Sequence, residues 1–107
     1  MMRLGSETLV VLTPTWVDDR GTQVADYANA RASTVKWCSM QPVQSTEPVD
    51  GRQAVVSRYV ARMPEGTRIA SFSRVQHRGV AYDVDGEPQR WGAPIPHVKV
   101  SLVERRG

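Results

Sequence analysis

Proline and glycine punctuate this sequence at short intervals, and that spacing constrains the fold more than any other feature. The 107 residues include seven prolines and eight glycines, and no long helical pattern of apolar residues survives between them. Proline cannot donate a backbone hydrogen bond inside a helix, and both residues favour turns. The segments between them are short and rich in β-branched side chains, which is typical of strands.

Six segments are predicted to be strands. The clearest is 52–63, in which Tyr59 and Met63 alternate with Arg58 and Arg62, so that one face is predicted to point to the core and the other to water. Turns are predicted at 64–66 and 77–79, where glycine supplies the required backbone freedom. The predicted strands are 9–14, 34–41, 52–63, 72–77, 80–85 and 97–103.

This pattern predicts an all-β protein, a small barrel or sandwich of about six antiparallel strands with little helix. Its length predicts a single domain over residues 1–107, with a core over about 9–103. Two segments are predicted to be long loops, 15–33 and 43–51. The first is polar and alanine-rich, and its spacing leaves open a turn or two of helix or an irregular excursion.

The charge pattern disfavours a dedicated DNA-binding protein. The net charge is +3, but both signs are scattered, whereas DNA-binding proteins usually cluster lysine and arginine on one face. No segment approaches the ~20 apolar residues that span a membrane. Residues 1–13 lack the long apolar core of a signal peptide. We therefore expect a protein made in the cytoplasm, with no membrane partner.

Catalytic chemistry is not visible in the sequence. Cys38 is the only cysteine, and it is predicted to be a buried apolar residue. His77 and His97 lie too far apart in the sequence to form a metal-binding motif with it. Asp83 and Asp85 share one predicted strand face, which is typical of a solvated surface. The sequence predicts no enzyme, no catalytic residue, no cofactor and no metal.

The second half contains an ordered series of motifs: GRQAV at 51–55, MPEGT at 63–67 with Ile69, SRV at 73–75, Gly79, AYDVDGEP at 81–88, Trp91 and VKVSL at 98–102. Their order resembles that in the head-to-tail stopper proteins of siphophages, particularly those that infect actinobacteria. Residues 19–24 and 35–42 also fit this resemblance, which spans roughly 10–102. The alanine-rich stretch 15–32 departs from it.

The resemblance implies a virion protein of the phage neck, assembled in the host cytoplasm. Copies would form a ring, six being favoured over twelve, between the portal and its adaptor on one side and the tail terminator or tail tube on the other. The ring would pass double-stranded DNA without reading its sequence and close after packaging. The resemblance also implies a channel-closing loop that consists of Val43, Gln44, Ser45, Thr46, Glu47, Pro48, Val49, Asp50 and Gly51.

A ring needs contacts between copies, and four residues are candidates for them. Trp16, Tyr27, Arg58 and Arg62 are of the types most enriched in interface hot spots. Core packing is the alternative for Trp16, and a solvated strand face is the alternative for the two arginines. Two other functions also stay open: another head–tail joining subunit, such as a tail terminator, and a small β-barrel that binds nucleic acid through its tryptophans.

Overall fold

The computed structural model describes residues 4–49 and 52–105, and all regular secondary structure in these ranges is β-strand. The predicted all-β fold is confirmed. A three-residue strand, 89–91, was absent from the prediction, because its side chains are all exposed and show no alternation. The strands are β1 (Glu7–Asp19), β2 (Thr22–Val49), β3 (Arg52–Pro64), β4 (Arg74–His77), β5 (Val80–Val84), β6 (Gln89–Trp91) and β7 (His97–Glu104).

The sheet closes on itself. Its strand order is β3-β2-β1-β4-β5-β7-β6, and β3 also pairs with β7. The six strands other than β6 therefore form a circuit in which each strand has a partner on both sides over part of its length, and β6 pairs with the beginning of β7. All these pairings are antiparallel. Within the closed part of the sheet, this leaves no open edge on which another chain could pair.

The core lies inside this circuit and follows the alternation in the strands. Val98, Val100 and Leu102 of β7 point inward, as predicted. Tyr59 and Tyr82 meet edge to face at the end of the core, with ring centroids 5.3 Å apart. The buried hydrophobic residues are Leu9, Val11, Cys38, Ala61, Met63, Ile69, Val75, Tyr82, Val98, Val100 and Leu102.

Cys38 is fully buried, which confirms the prediction that it packs as an apolar residue. Burial raises the pKa of its thiol to about 11. The group is therefore protonated at neutral pH, and a protonated, enclosed thiol is a poor nucleophile. The sulfur lies 3.6 Å from the carbonyl oxygen of Val35, a weak hydrogen bond within its own strand.

The second strand bends. Its 28 residues would span about 90 Å if straight, whereas the longest dimension of the molecule is 46 Å. The pairing of β1 with β2 is interrupted twice, between Glu7 and Leu9 and between Thr13 and Thr15. Trp37 lies in the first bulge and has a φ of 65°. Bulges of this kind increase the local bend of a strand.

The two predicted long loops are wrong. Residues 15–33 form the ends of β1 and β2 and the turn between them, and residues 43–49 continue β2 in register with β3. Residues 50 and 51 lie outside the described residues. The strands 15–19 and 22–24 are exposed on both faces, so they need no alternation of polar and apolar residues. Their polar composition therefore resembled that of a loop.

The close packing of the backbone just before β1 can be tested at Gly5. A Cβ atom there would overlap the carbonyl oxygen of Cys38 and approach the Cα of Ser39 to 2.8 Å. We expect Gly5→Ala to lower the free energy of unfolding by about 1–3 kcal/mol, measured by urea denaturation. Gly92 has open space around it, so Gly92→Ala is the matched control and should not destabilise. Equal stability of the two variants would contradict this packing.

Candidate functional site

Two hairpins extend beyond the closed part of the sheet. The first hairpin (residues 13–31) joins the end of β1 to the start of β2, and the second hairpin (residues 44–57) joins the end of β2 to the start of β3. Within the described ranges, the strands of each hairpin pair only with each other, because β4 pairs with β1 at 10–12 and β7 pairs with β3 at 58–64. Since both hairpins share β2, they lie at its opposite ends.

The tip of the first hairpin is a tight turn between the paired residues Asp19 and Thr22. Arg20 and Gly21 have φ values of 53° and 86°, and two positive values are typical of a type I′ turn. The amide of Gly21 donates a hydrogen bond of 2.9 Å to the carboxylate of Asp18. This turn follows the twist of the strands and keeps them paired to the tip.

The base of the first hairpin is fixed to the segment that precedes β4. The Tyr27 hydroxyl donates a hydrogen bond of 2.5 Å to the carbonyl oxygen of Phe72. The Trp16 ring meets the Phe72 ring edge to face, with centroids 5.4 Å apart. The guanidinium of Arg74 lies 3.4 Å from the centre of the Tyr27 ring, a cation–π contact. The structure therefore brings the predicted residues Trp16 and Tyr27 together around Phe72.

Tyr27 reaches Phe72 because β2 bulges at this point. Thr13 pairs with Arg31 and Thr15 pairs with Asp26, so five steps along β2 match two along β1. The carboxylate of Asp26 accepts hydrogen bonds from the Asn29 side chain and the Ala28 amide. These bonds, with Asn29 contributing most, hold the pKa of Asp26 below its ordinary value. The ionised carboxylate thus stabilises the loop of the bulge.

A groove of about 600 Å³ lies between the base of the first hairpin and residues 68–73. Three arginines line this basic groove, Arg31, Arg68 and Arg90, and no acidic side chain lines it. Arg90 donates a hydrogen bond of 3.2 Å to the carbonyl oxygen of Thr67. The side chains of Arg31 and Arg68 are exposed and form no hydrogen bond or ion pair with any described residue. The groove therefore presents positive charge without internal neutralisation.

The predicted interface residues Arg58 and Arg62 lie elsewhere, on the outward face of β3. Arg58 forms an ion pair with Asp85, and Arg62 donates a hydrogen bond of 3.1 Å to the side chain of Gln41. Both side chains are partly buried and have partners within the chain. The structure thus separates the four predicted interface residues into an aromatic pair on the first hairpin and an arginine pair on β3.

The three tryptophans lie on different elements. Trp16 belongs to the first hairpin, and Trp37 lies in the bulge near the end of the closed sheet. Trp91 belongs to β6, where its ring stacks on that of His97 with centroids 6.2 Å apart. Their exposed fractions are 49%, 37% and 49%. A single-strand binding surface would align aromatic residues along one path, and their distribution over three elements does not favour that function.

Sequence reasoning missed Phe72 and the three arginines of the groove. Arg31, Arg68 and Arg90 are far apart in the sequence, and only the pairing of strands brings them together, so no local motif could reveal them. The second hairpin had a signal in the sequence. Asp50-Gly51 is a dipeptide strongly preferred in two-residue hairpin loops, and it lies between the paired residues Val49 and Arg52.

Among the described residues, no group of three or more histidine, cysteine, aspartate or glutamate side chains is placed to hold a metal ion. Within the same ranges, no helix has the length and hydropathy that a membrane span requires.

The fold resembles two solved structures over nearly its whole length. One is a chain from the virion of a native gene transfer agent particle, with a TM-score of 0.69, 13% identity and coverage of 94% of each chain. The other is the protein xkdH of the phage-like element PBSX from Bacillus subtilis, with a TM-score of 0.55, 12% identity and coverage of 92% of each chain. At these identities the matches show a shared fold. No family model and no curated protein sequence matches this chain.

The attachment of the first hairpin can be tested with Tyr27→Phe, which removes the hydroxyl that binds the Phe72 carbonyl. We expect the free energy of unfolding to fall by about 0.5–1 kcal/mol, and amide hydrogen exchange to become faster at 15–26. Thr22→Val is the matched control, because it removes a hydroxyl at the tip that bonds no described residue. Equal changes in exchange in both variants would show that the Tyr27 bond does not hold the hairpin.

Proposed function

We propose that this chain is a structural protein of the neck of a tailed phage or phage-like particle, where it acts as a head-to-tail stopper. The observation that carries the proposal is the shared fold over 94% of this chain and of a chain from a gene transfer agent virion. The shared fold with a protein of a phage-like element supports the same role. The order of motifs at 51–102, which resembles stopper proteins, is an independent argument from sequence.

In this proposal the chain acts without catalysis and as one copy in a ring, six copies being favoured over twelve. The head adaptor or portal would contact one face of the ring, and the tail terminator or tail tube the other. The absence of helix from the described ranges favours a stopper over a tail terminator, because terminators are expected to contain both helices and strands.

The second hairpin is the proposed closing element of the channel. The second hairpin includes residues 44–51 of the predicted closing segment 43–51. Within it, β2 pairs with β3 as far as Val49 with Arg52. A paired ribbon in a channel is harder to displace than a loop, because its two strands must move together. The segment opens by swinging as a unit about its base near Val43, with the closed sheet left intact.

Charge gives the second hairpin a way to obstruct DNA without adhering to it. Glu47 and Asp50 are the charged residues of 43–51, and with Arg52 directly after them the second hairpin has a net charge of −1, which a ring repeats around its axis. Double-stranded DNA carries one negative charge per ~1.7 Å of its axis, so an acidic rim repels it. The closed channel then holds the genome by steric obstruction and releases it without a strongly bound state to break.

The proposed role as a whole can be tested with particles that lack the protein. We expect electron micrographs to show full-length tails beside unjoined, DNA-free heads, because packaged DNA would escape through the open channel. Supplying the wild-type protein in trans is the control and should restore joined particles. Normal joined particles that retain DNA without the protein would overturn the proposal.

The second hairpin can be shortened without a change of register. Removing residues 46–49 and 52–55 leaves Ser45 and Val56 on either side of Asp50-Gly51, and these two residues already pair. The removed pairs lie outside the closed sheet, so we expect unchanged thermal stability and normal incorporation. We expect the particles to lose packaged DNA, measured as the fraction of filled heads.

The matched control for this deletion keeps the length of the hairpin and removes its negative charge, in the form Glu47→Gln with Asp50→Asn. Those particles should retain DNA, because a hairpin of full length still obstructs the channel. If the shortened protein is incorporated normally and the heads stay filled, the second hairpin is not the closing element.

A further inference from the structure

We propose that the first hairpin of one copy docks into the basic groove of the next copy, so that the ring closes through a contact between tip and groove. This inference rests on the ring assembly proposed above. It assigns a partner to two surfaces of the chain. One is the tip of the first hairpin, where Asp18, Asp19 and Arg20 give a net charge of −1, and the other is the groove lined by Arg31, Arg68 and Arg90.

The first hairpin has backbone groups that invite a partner. Beyond Leu12, β1 has no described partner except β2, and over 22–35 β2 has no described partner except β1. Both edges of this ribbon are therefore open. Two-stranded ribbons are marginally stable in water, and open edges tend to pair with other chains. A ribbon of this length is best explained by a surface that covers it in the assembled state.

Its side chains point to the same conclusion. Val17 and Val24 are directly paired across the hairpin, so they share one face, and they are 45% and 43% exposed. Trp16, on the opposite face, is turned towards Phe72 of its own chain. The Val17–Val24 face has no such cover in the described structure. Burial of paired valines against a neighbour would add a hydrophobic contribution beside the charged tip.

Charge complementarity selects the basic groove as the partner of the tip. Asp19 is exposed and its carboxylate forms no hydrogen bond or ion pair with any described residue. Arg31 and Arg68 have no such partners either within those ranges. Opposite charges that lack partners within one chain and lie on two separate surfaces are suited to a contact between copies, where they also reject wrong alignments.

The tip cannot reach the groove of its own chain. The pairing is continuous from Thr15 with Asp26 to Asp19 with Thr22, which holds the tip about 13 Å beyond the base that lines the groove. The contact must therefore join two copies. Because tip and groove are different surfaces, the contact can be head-to-tail, and a head-to-tail contact repeated around an axis gives a ring when its rotation closes.

Charge reversal with rescue tests this contact. The variants are Asp19→Arg, Arg68→Glu and the two combined, with Glu87→Arg as the matched control, since Glu87 is exposed and lies away from both surfaces. The measurement is the number of copies per purified particle, by quantitative mass spectrometry. We expect each single reversal to reduce it about tenfold, because like charges then face each other across the contact. We expect the combined variant to return close to wild type, and the control to stay there.

Failure of the tip–groove contact and failure of the proposed stopper role would give different results. Circular dichroism and thermal unfolding first establish that each variant folds, which is expected for exposed positions. If wild-type protein is present in particles and Asp19→Arg is incorporated equally well, the tip–groove contact is wrong and the stopper role stands. If the combined variant is not rescued, the contact is also wrong. If wild-type protein is absent from particles, the proposed function itself fails.

Discussion

The pairing of β3 with β7 is the constraint on which the rest of this structure depends. It runs without interruption from Arg58 with Val103 to Pro64 with His97 and joins the two ends of what would otherwise be an open sheet. Only when the sheet is closed do the inward side chains of β3, β7 and β1 enclose a common core. In a chain of this length, with a correspondingly small core, that enclosure is a large part of the stability.

Closure also determines what the two hairpins can be. β1, β2 and β3 are longer than the closed part of the sheet. Beyond it they pair only with each other, and no third strand lies beside them among the described residues. The first hairpin compensates at its base through Tyr27, Trp16 and Phe72. Its outer part depends on its own ladder and turn. This division gives a rigid body that carries two ribbons, one at each end of β2.

The sequence was most informative where burial imposes a period of two. Val98, Val100 and Leu102 alternate because one face of β7 is in the core, and their inward orientation was predictable from that alone. Turns were predictable where glycine follows a polar or charged residue, as at Arg78-Gly79. The first hairpin was not recognised because its outer part is exposed on both faces and has no such period, so its polar residues resemble those of a loop.

The candidate site was predictable only in part. Trp16 and Tyr27 were predicted to contact a neighbouring copy. The structure brings both to Phe72 of the same chain, and their role between copies stays a prediction. The basic groove could not be foreseen, because Arg31, Arg68 and Arg90 are distant in the sequence and line one groove only in the folded chain. Long-range placement of this kind depends on strand order, which local patterns do not encode.

The continuity of β2 has a consequence for how such chains diverge. One strand runs from the tip of the first hairpin to the end of the second, with bulges near Thr13–Thr15 and Glu7–Leu9 absorbing mismatches in length. An insertion in a single strand would turn every following side chain to the other face. Lineages can therefore lengthen or trim either ribbon only by matched additions to both of its strands, or by adding another bulge. Length differences among relatives should be concentrated near residues 20–21 and 50–51, while the span shared with the core keeps its register.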